Sequence, residues 1–197
     1  MNLSRLVAYN TLIQIVSKSI SVVFGITTTA ILTNYLGASG FGDYIFALSI
    51  VSIFSSISDW GITLIAVREA SRNKINQGQI FGNVILLRLA LSTAAMIIVW
   101  VLAFIFPFNS SHPLVLRHLI LLASLLIVIF ALKTSLEIIF QAKLKLDRMA
   151  LTELIASLLT LVFVVFVVII SNTKIIATGI VAIHATVIIL IPFIFSP

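Results

Sequence analysis

Residues 149–171 read MALTELIASLLTLVFVVFVVIIS, a run in which Glu153 is the only charged side chain. A helix needs about 20 apolar residues to cross the hydrocarbon core of a bilayer. The run lacks the alternation of apolar and polar residues that marks the roughly ten-residue strands of a membrane barrel. Because backbone polar groups cannot stay unpaired in lipid, the run is predicted to be a membrane-spanning helix.

Similar apolar runs occur on both sides of this segment. The predicted spans are 10–36, 42–66, 80–106, 116–141, 149–171 and 175–195. The breaks between them hold glycine, proline and charged residues, including a predicted turn over 37–42 and a predicted connection over 68–78. The sequence therefore predicts an all-α integral membrane protein with six transmembrane helices, forming a single lobe over residues 1–197.

The composition of the whole chain agrees with this fold class. Of its 197 residues, 61% are hydrophobic and 9% are charged. A soluble domain carries about 25% charged residues, so a water-soluble globular protein is excluded. The high hydrophobicity excludes a disordered chain. The chain has no cysteine, and its three histidines lack metal-ligand spacing, so neither a metal site nor a cofactor is predicted.

The basic residues give the predicted helices a direction, because Lys and Arg collect in cytoplasmic loops. Two of them flank one side of the spans, and seven flank the other side: Arg5, Arg68, Arg72, Lys74, Lys143, Lys145 and Arg148. The N-terminus, and with six spans also the C-terminus, is therefore expected on the cytoplasmic side of the cell membrane. The net charge of +6 is explained by this topology, and no nucleic-acid partner is expected.

Charged side chains inside the predicted spans are the most informative feature of the sequence. Each costs roughly 2.5–3.5 kcal/mol to insert at the bilayer centre, and such residues usually face the interior of a helix bundle. All lie in the predicted cytoplasmic half or near the midplane: Lys18, Asp59, Arg88, Lys133, Glu137 and Glu153. They are candidates for binding an anionic substrate or a coupling ion.

These charges continue polar stripes at helical spacing. The stripes are Gln14, Lys18, Ser21, Gly25 and Thr28; Ser49, Ser52, Ser56, Asp59 and Thr63; Lys133, Glu137 and Gln141; and Glu153, Ser157 and Thr160. One interpretation is a hydrogen-bonded interior that opens toward the cytoplasm. The other is packing alone, with small residues at helix contacts and pairs such as Lys133 with Glu137. Lys18 and Arg88 have no opposite charge at helical spacing, so their partners must come from another helix or from a substrate.

Segments next to the predicted helices resemble the oligosaccharide flippases, the polysaccharide biosynthesis membrane proteins of the multidrug and oligosaccharidyl-lipid exporter superfamily. They are LGASGFGDY at 36–44, DWGI at 59–62 leading into REASR at 68–72, and FQAKLK at 140–145 followed by Met149 and Ala150. The resemblance covers residues 8–192 through the order and spacing of these segments.

The resemblance implies a transporter rather than an enzyme, and no nucleophile–base pair or phosphate loop suggests catalysis. Members of this family move a polyprenyl-(pyro)phosphate-linked oligosaccharide from the cytoplasmic to the outer leaflet. They have twelve to fourteen helices in two lobes around a cavity, and this chain resembles the N-terminal lobe. The resemblance assigns Lys18, Arg88 and Lys133 to a cationic cavity, and Arg68 and Arg72 to its cytoplasmic rim.

Two other functions remain open. An ion-coupled drug or metabolite antiporter of the same superfamily would use Asp59, Glu137 and Glu153 as proton or sodium sites. Alternatively, the chain is a truncated or half-size form that is inactive without a partner lobe. That lobe would be a separate chain or a second copy in a homodimer. The expected partners are the lipid bilayer and a lipid-linked oligosaccharide.

Overall fold

The computed structural model describes residues 3–72, 77–108, 113–142 and 146–170. Every regular element in these ranges is an α-helix: α1 (Leu3–Asp59), α2 (Ile62–Arg72), α3 (Gln77–Ile105), α4 (Pro113–Ala142) and α5 (Leu146–Ile170). Four helical stretches are long and apolar enough to cross a membrane: Tyr9–Arg72, Gln77–Ile105, Pro113–Ile138 and Asp147–Ile169. The predicted all-α class is thus confirmed for the described ranges. The predicted span 175–195 lies outside the described residues, so the count of six membrane-spanning helices stays a prediction.

Helix α1 consists of two arms that meet at Gly37. This residue has φ 72° and ψ 172°, and it is the non-helical position inside the helix. Such torsion angles are open essentially to glycine alone. Side chains of the first arm (residues 3–36) and the second arm (residues 38–59), such as Leu32 and Tyr44, share one core and line one cavity. The two arms therefore lie side by side. The predicted turn over 37–42 is wrong beyond Gly37, because that one residue makes the reversal and 38–42 stay helical.

A second break separates α1 from α2. Helix α1 ends at Asp59, Gly61 has a φ of 82°, and α2 begins at Ile62. The predicted span 42–66 therefore crosses a helix break. The predicted connection over 68–78 is wrong at both ends, since α2 continues to Arg72 and α3 starts at Gln77. The Gln77 side-chain amide donates to the Ala70 carbonyl at 2.8 Å, and this bond ties the start of α3 to α2.

Helix α4 lies at the centre of the described bundle and packs against α1, α2, α3 and α5. Its residues Ala123 and Ile127 are completely buried. The Trp100 indole on α3 donates to Ser124 Oγ on α4 at 2.7 Å, and Ser157 on α5 donates to Ser21 on α1 at 3.1 Å. Because lipid supplies no hydrophobic force between helices, such bonds and close packing hold a membrane bundle together.

The outside of the bundle is apolar over most of its surface. Large side chains that are more than half exposed occur on every long helix, among them Leu12, Ile26, Ile53, Leu86, Phe104, Leu114 and Phe166. Soluble monomers rarely expose apolar patches larger than a few hundred Å². A surface of this kind is stable in contact with lipid chains, which agrees with membrane-spanning helices.

The hairpin of α1 predicts different outcomes for two glycines only five residues apart. A Cβ at Gly37 or at Gly42 would meet no atom within 4 Å, so neither Gly37→Ala nor Gly42→Ala creates a clash. At position 37, however, alanine must adopt a φ of 72°, which costs about 1–3 kcal/mol. We expect Gly37→Ala to lower the Tm of the purified protein in detergent by several degrees.

The matched control is Gly42→Ala, which replaces a helical glycine and should leave the Tm unchanged or raise it slightly. Equal melting temperatures of the two variants would show that the chain does not reverse at Gly37.

Candidate functional site

Arg88 is the buried charge around which the polar residues of the bundle collect. Its side chain on α3 is 1% exposed. Nη2 forms an ion pair with the carboxylate of Asp59 and donates to Thr63. Nη1 donates to Thr134 Oγ1 at 2.9 Å and to Ser135 Oγ at 3.3 Å. One guanidinium thus joins the end of α1, the first turn of α2 and the middle of α4.

Asp59 lies directly before the break at 60–61, and its own contacts bridge that break. Thr63 Oγ1, in the first turn of α2, donates to Asp59 Oδ1 at 2.8 Å. The Asp59 side chain remains 41% exposed, although its partner Arg88 is buried. Sequence reasoning left the partner of Arg88 to another helix or to a substrate, and the structure supplies it from another helix.

A small cavity adjoins this ion pair. It has a volume of about 50 Å³ and is lined by Ser55, Ser58, Asp59, Arg88, Ile127, Phe130, Ala131 and Thr134. Two buried polar atoms, Arg88 Nε and Ser55 Oγ, have no hydrogen-bond partner in the part of the chain that the structure describes. A cavity of this volume with such polar atoms meets the requirements for bound water. The surroundings of Arg88 are therefore polar as well as buried.

A second group of charges lies on α4 and α5. Lys133 Nζ is 3.3 Å from Glu137 Oε1, one turn along α4, and the two side chains are 24% and 15% exposed. This pair is the within-helix contact that the spacing predicts. Glu153 on α5 is half-buried, and both it and Arg88 act electrostatically on Glu137. Lys133, Glu153 and Arg88 thus all lie close enough to act on the Glu137 carboxylate, and Asp59 is linked to this group through its ion pair with Arg88.

Lys18 is placed apart from these charges. Its side chain is exposed on the first arm of α1, and it forms no ion pair with any residue that the structure describes. Ser21, one turn further along the same face, bonds to Ser157 on α5. The structure therefore does not bring the three predicted cavity cations together: Arg88 and Lys133 are paired inside the lobe, whereas Lys18 faces outward.

The serines of the polar stripe on the second arm also face out of the lobe. Ser49, Ser52 and Ser56 are exposed, while Ala47 and Val51 fill the core beside them. Within the described lobe, those serines therefore do not line the interior. The reason is that small apolar residues, rather than hydroxyls, make the contact with neighbouring helices on this arm.

The two predicted rim residues lie on α2. Arg68 and Arg72 are exposed, and Arg72 belongs to the last turn of the helix. Their spacing places them on one helix face, at the end of the bundle that the distribution of basic residues assigns to the cytoplasm. Their role as a rim remains a prediction.

Sequence reasoning missed Thr134 and Ser135, which complete the shell around Arg88. Both sit between Lys133 and Glu137, off the stripe that those charges define. Each hydroxyl also bonds to a carbonyl of its own helix, and this local bonding hides such residues in an apolar run. The signal that marks them is two adjacent hydroxyls at the depth of a cation on a neighbouring helix.

The chain matches a known protein family over nearly its whole length. Residues 7–195 match the model of a family described as polysaccharide biosynthesis protein. No curated protein and no solved structure matches the chain significantly. The family match confirms the resemblance drawn from the segments at 36–44, 59–72 and 140–150.

The Arg88 network predicts that Asp59→Ala is strongly destabilising. The substitution leaves a buried guanidinium without its counter-charge, and removing one member of a buried pair costs about 3–5 kcal/mol. Because Asp59 is partly exposed, we expect a loss near the lower value, measured as a fall in the Tm of the purified protein in detergent.

The control Glu69→Ala removes an exposed carboxylate from α2 and should leave the Tm unchanged. The double variant Asp59→Ala, Arg88→Met should recover much of the loss, since it buries no unpaired charge. If Asp59→Ala melted like the wild type, Asp59 would not be the counter-charge of Arg88.

Proposed function

The chain belongs to the polysaccharide biosynthesis protein family, and we propose that it is a flippase for lipid-linked oligosaccharides. In this proposal it moves a polyprenyl-(pyro)phosphate-linked oligosaccharide from the cytoplasmic to the outer leaflet of the cell membrane. The product serves the synthesis of a surface polysaccharide such as the O-antigen of lipopolysaccharide. The protein is then a transporter with several spans, not an enzyme.

The observation that carries the proposal is the position of Lys18. It is a cation in a helical stretch apolar enough to span a membrane, and the described residues offer it no counter-charge. An ammonium at this depth is expensive unless a partner neutralises it. A phosphate or pyrophosphate group supplies that partner through charge-assisted hydrogen bonds. In this proposal, Lys18 is therefore the residue that holds the head group.

Arg88 and Lys133 contribute in a different way, because each already has a carboxylate. Arg88 is buried, so in this proposal it adds its positive charge to the site from inside the lobe. An arriving pyrophosphate competes with Glu137 for Lys133, and Glu137 takes Lys133 back when the lipid leaves. This competition keeps the net affinity moderate, and a transporter needs that to release its substrate. Arg68 and Arg72, on the exposed face of α2, attract the anionic head group toward the entrance.

The proposal also gives a role to the exposed polar face. The side chains of Lys18, Ser49, Ser52 and Ser56 face out of the lobe, and direct contact with lipid is unfavourable for the ammonium group of Lys18. In the proposed transporter they line a water-filled cavity between this lobe and a second one. The second lobe comes from another chain or from a second copy in a homodimer.

A second candidate function rests on the acidic residues. Glu137 and Glu153 lie near each other and near two cations, an arrangement that also suits proton or sodium coupling in an antiporter. For an antiporter, Glu137→Gln and Glu153→Gln should abolish transport driven by a proton or sodium gradient, while Lys18→Ala should leave it intact. The flippase proposal instead predicts that Lys18→Ala reduces transport.

The flippase proposal predicts that Lys18→Ala reduces export of the surface polysaccharide by about tenfold or more, the effect of losing roughly 1.4 kcal/mol of head-group binding. Lys18→Arg, which keeps the charge, should retain most of the export. Surface glycan is measured in cells that depend on this protein, with the amount of protein in the membrane quantified in parallel.

The matched control is Lys133→Ala together with Glu137→Ala. It removes a paired cation and its counter-charge, and should reduce export less than Lys18→Ala. Full export by Lys18→Ala at normal protein level would rule out the proposed role of Lys18.

A further inference from the structure

A cavity without any charged lining residue lies further along the face that carries Lys18. It is lined by both arms of α1 and by α5 and is open on one side, and its volume is about 240 Å³. Its walls consist of Gly25, Thr28, Thr29, Leu32, Phe41, Tyr44, Ile45, Leu48, Ser157 and Thr160. Half of these residues carry a hydroxyl group and two are aromatic. The cavity is therefore polar but neutral, unlike the surroundings of Arg88.

Two of the side chains are largely buried and carry available hydroxyls. Tyr44 and Thr160 are each 7% exposed, and neither side-chain hydroxyl has a hydrogen-bond partner within residues 3–72, 77–108, 113–142 and 146–170. Thr28, by contrast, donates to the carbonyl of Phe24 at 2.8 Å. Neither hydroxyl oxygen is among the fully buried side-chain atoms that lack a partner, so both are accessible from the open space of the cavity. The two hydroxyls therefore point to a ligand that donates and accepts hydrogen bonds.

The chemistry of the walls defines that ligand further. A charged group is disfavoured, because the lining residues offer it no counter-charge. The rings of Phe41 and Tyr44, with centroids 6.2 Å apart and tilted by 34°, offer an apolar surface next to the hydroxyls. A sugar ring matches both, since its hydroxyls project around its rim and its C–H groups cover its faces. The volume is below the roughly 300–1,000 Å³ of pockets for drug-sized ligands, which suits a single ring.

We propose that this cavity is a binding site for one neutral sugar ring, held by the hydroxyls of Tyr44 and Thr160. The inference rests on the proposed function and extends it from the head group to the sugar. Lys18 and Gly25 are seven residues apart on one helix face, or about 10 Å at 1.5 Å per residue. A lipid whose phosphate lies at Lys18 therefore places its first sugar toward the cavity.

The test compares two lipids that differ only in the sugar. Purified protein in a detergent without a sugar head group is titrated with a polyprenyl pyrophosphate, and with the same lipid carrying N-acetylglucosamine. We expect wild type to bind the sugar-bearing lipid more tightly. Tyr44→Phe combined with Thr160→Val removes two hydroxyls at nearly constant shape. It should weaken binding of the sugar-bearing lipid about tenfold, a loss of roughly 1.4 kcal/mol, and leave binding of the sugar-free lipid unchanged.

The control variant Thr33→Val removes an exposed hydroxyl that bonds to the carbonyl of Thr29 and lies outside the cavity, so it should change neither affinity. Lys18→Ala should weaken the binding of both lipids equally. Equal affinity of the two lipids for wild type, or an undiminished preference in the Tyr44→Phe, Thr160→Val variant, would overturn the sugar site.

A second measurement separates this inference from the proposed function. Free N-acetylglucosamine, glucose and galactose are each added to the protein during thermal unfolding. A ligand that binds the folded state raises its stability. At least one sugar should raise the Tm of wild type and of Lys18→Ala, but not of the Tyr44→Phe, Thr160→Val variant. If no sugar raises the Tm of wild type, the inference fails. If the sugars act as expected while neither lipid binds, the proposed function fails and the sugar site stands.

Discussion

The ion pair between the buried Arg88 and the partly exposed Asp59 is the constraint on which the rest of the lobe depends. A guanidinium inside an apolar bundle is tolerated only when its charge and most of its N–H groups are satisfied. The partners come from α1, α2 and α4, so these three helices and α3 must keep their relative positions. Asp59 and Thr63 lie on the two sides of the break at 60–61, so the same guanidinium also holds α1 and α2 together across it.

The three predicted cavity cations fall into two groups that differ in their pairing. Inside the lobe, cations are paired: Arg88 with Asp59, and Lys133 with Glu137. On the exposed face of α1, Lys18 and the serines of the second arm have no such partners among the charges of the described residues. Paired charges hold helices in place, whereas an unpaired charge at the surface of a lobe is available to an anion. Among the three predicted cavity cations, Lys18 is therefore the one that an anion reaches without breaking an ion pair.

The sequence predicts much of the fold because long apolar runs leave helices as the only stable structure in lipid. Helices α3, α4 and α5 begin and end within a few residues of the predicted spans. The position of the reversal is harder to predict. The sequence alone does not distinguish Gly37 from Gly40 and Gly42, whereas the backbone torsion angles do. The contact between Lys133 and Glu137 follows from a spacing of four. The contact between Asp59 and Arg88, 29 residues apart, depends on helix packing, which a single sequence does not specify.

The reversal of α1 on a single glycine has a consequence for the register of its two arms. A loop can absorb an added or deleted residue, but a one-residue reversal cannot. Each residue of a helix turns the next by about 100°, so one insertion between Lys18 and Gly37 would move Lys18 to another face of the bundle. An insertion just after Gly37 would turn Tyr44 away from Thr160. The covalent length of this segment thus sets the distance between the Lys18 ammonium group and the hydroxyls of Tyr44 and Thr160.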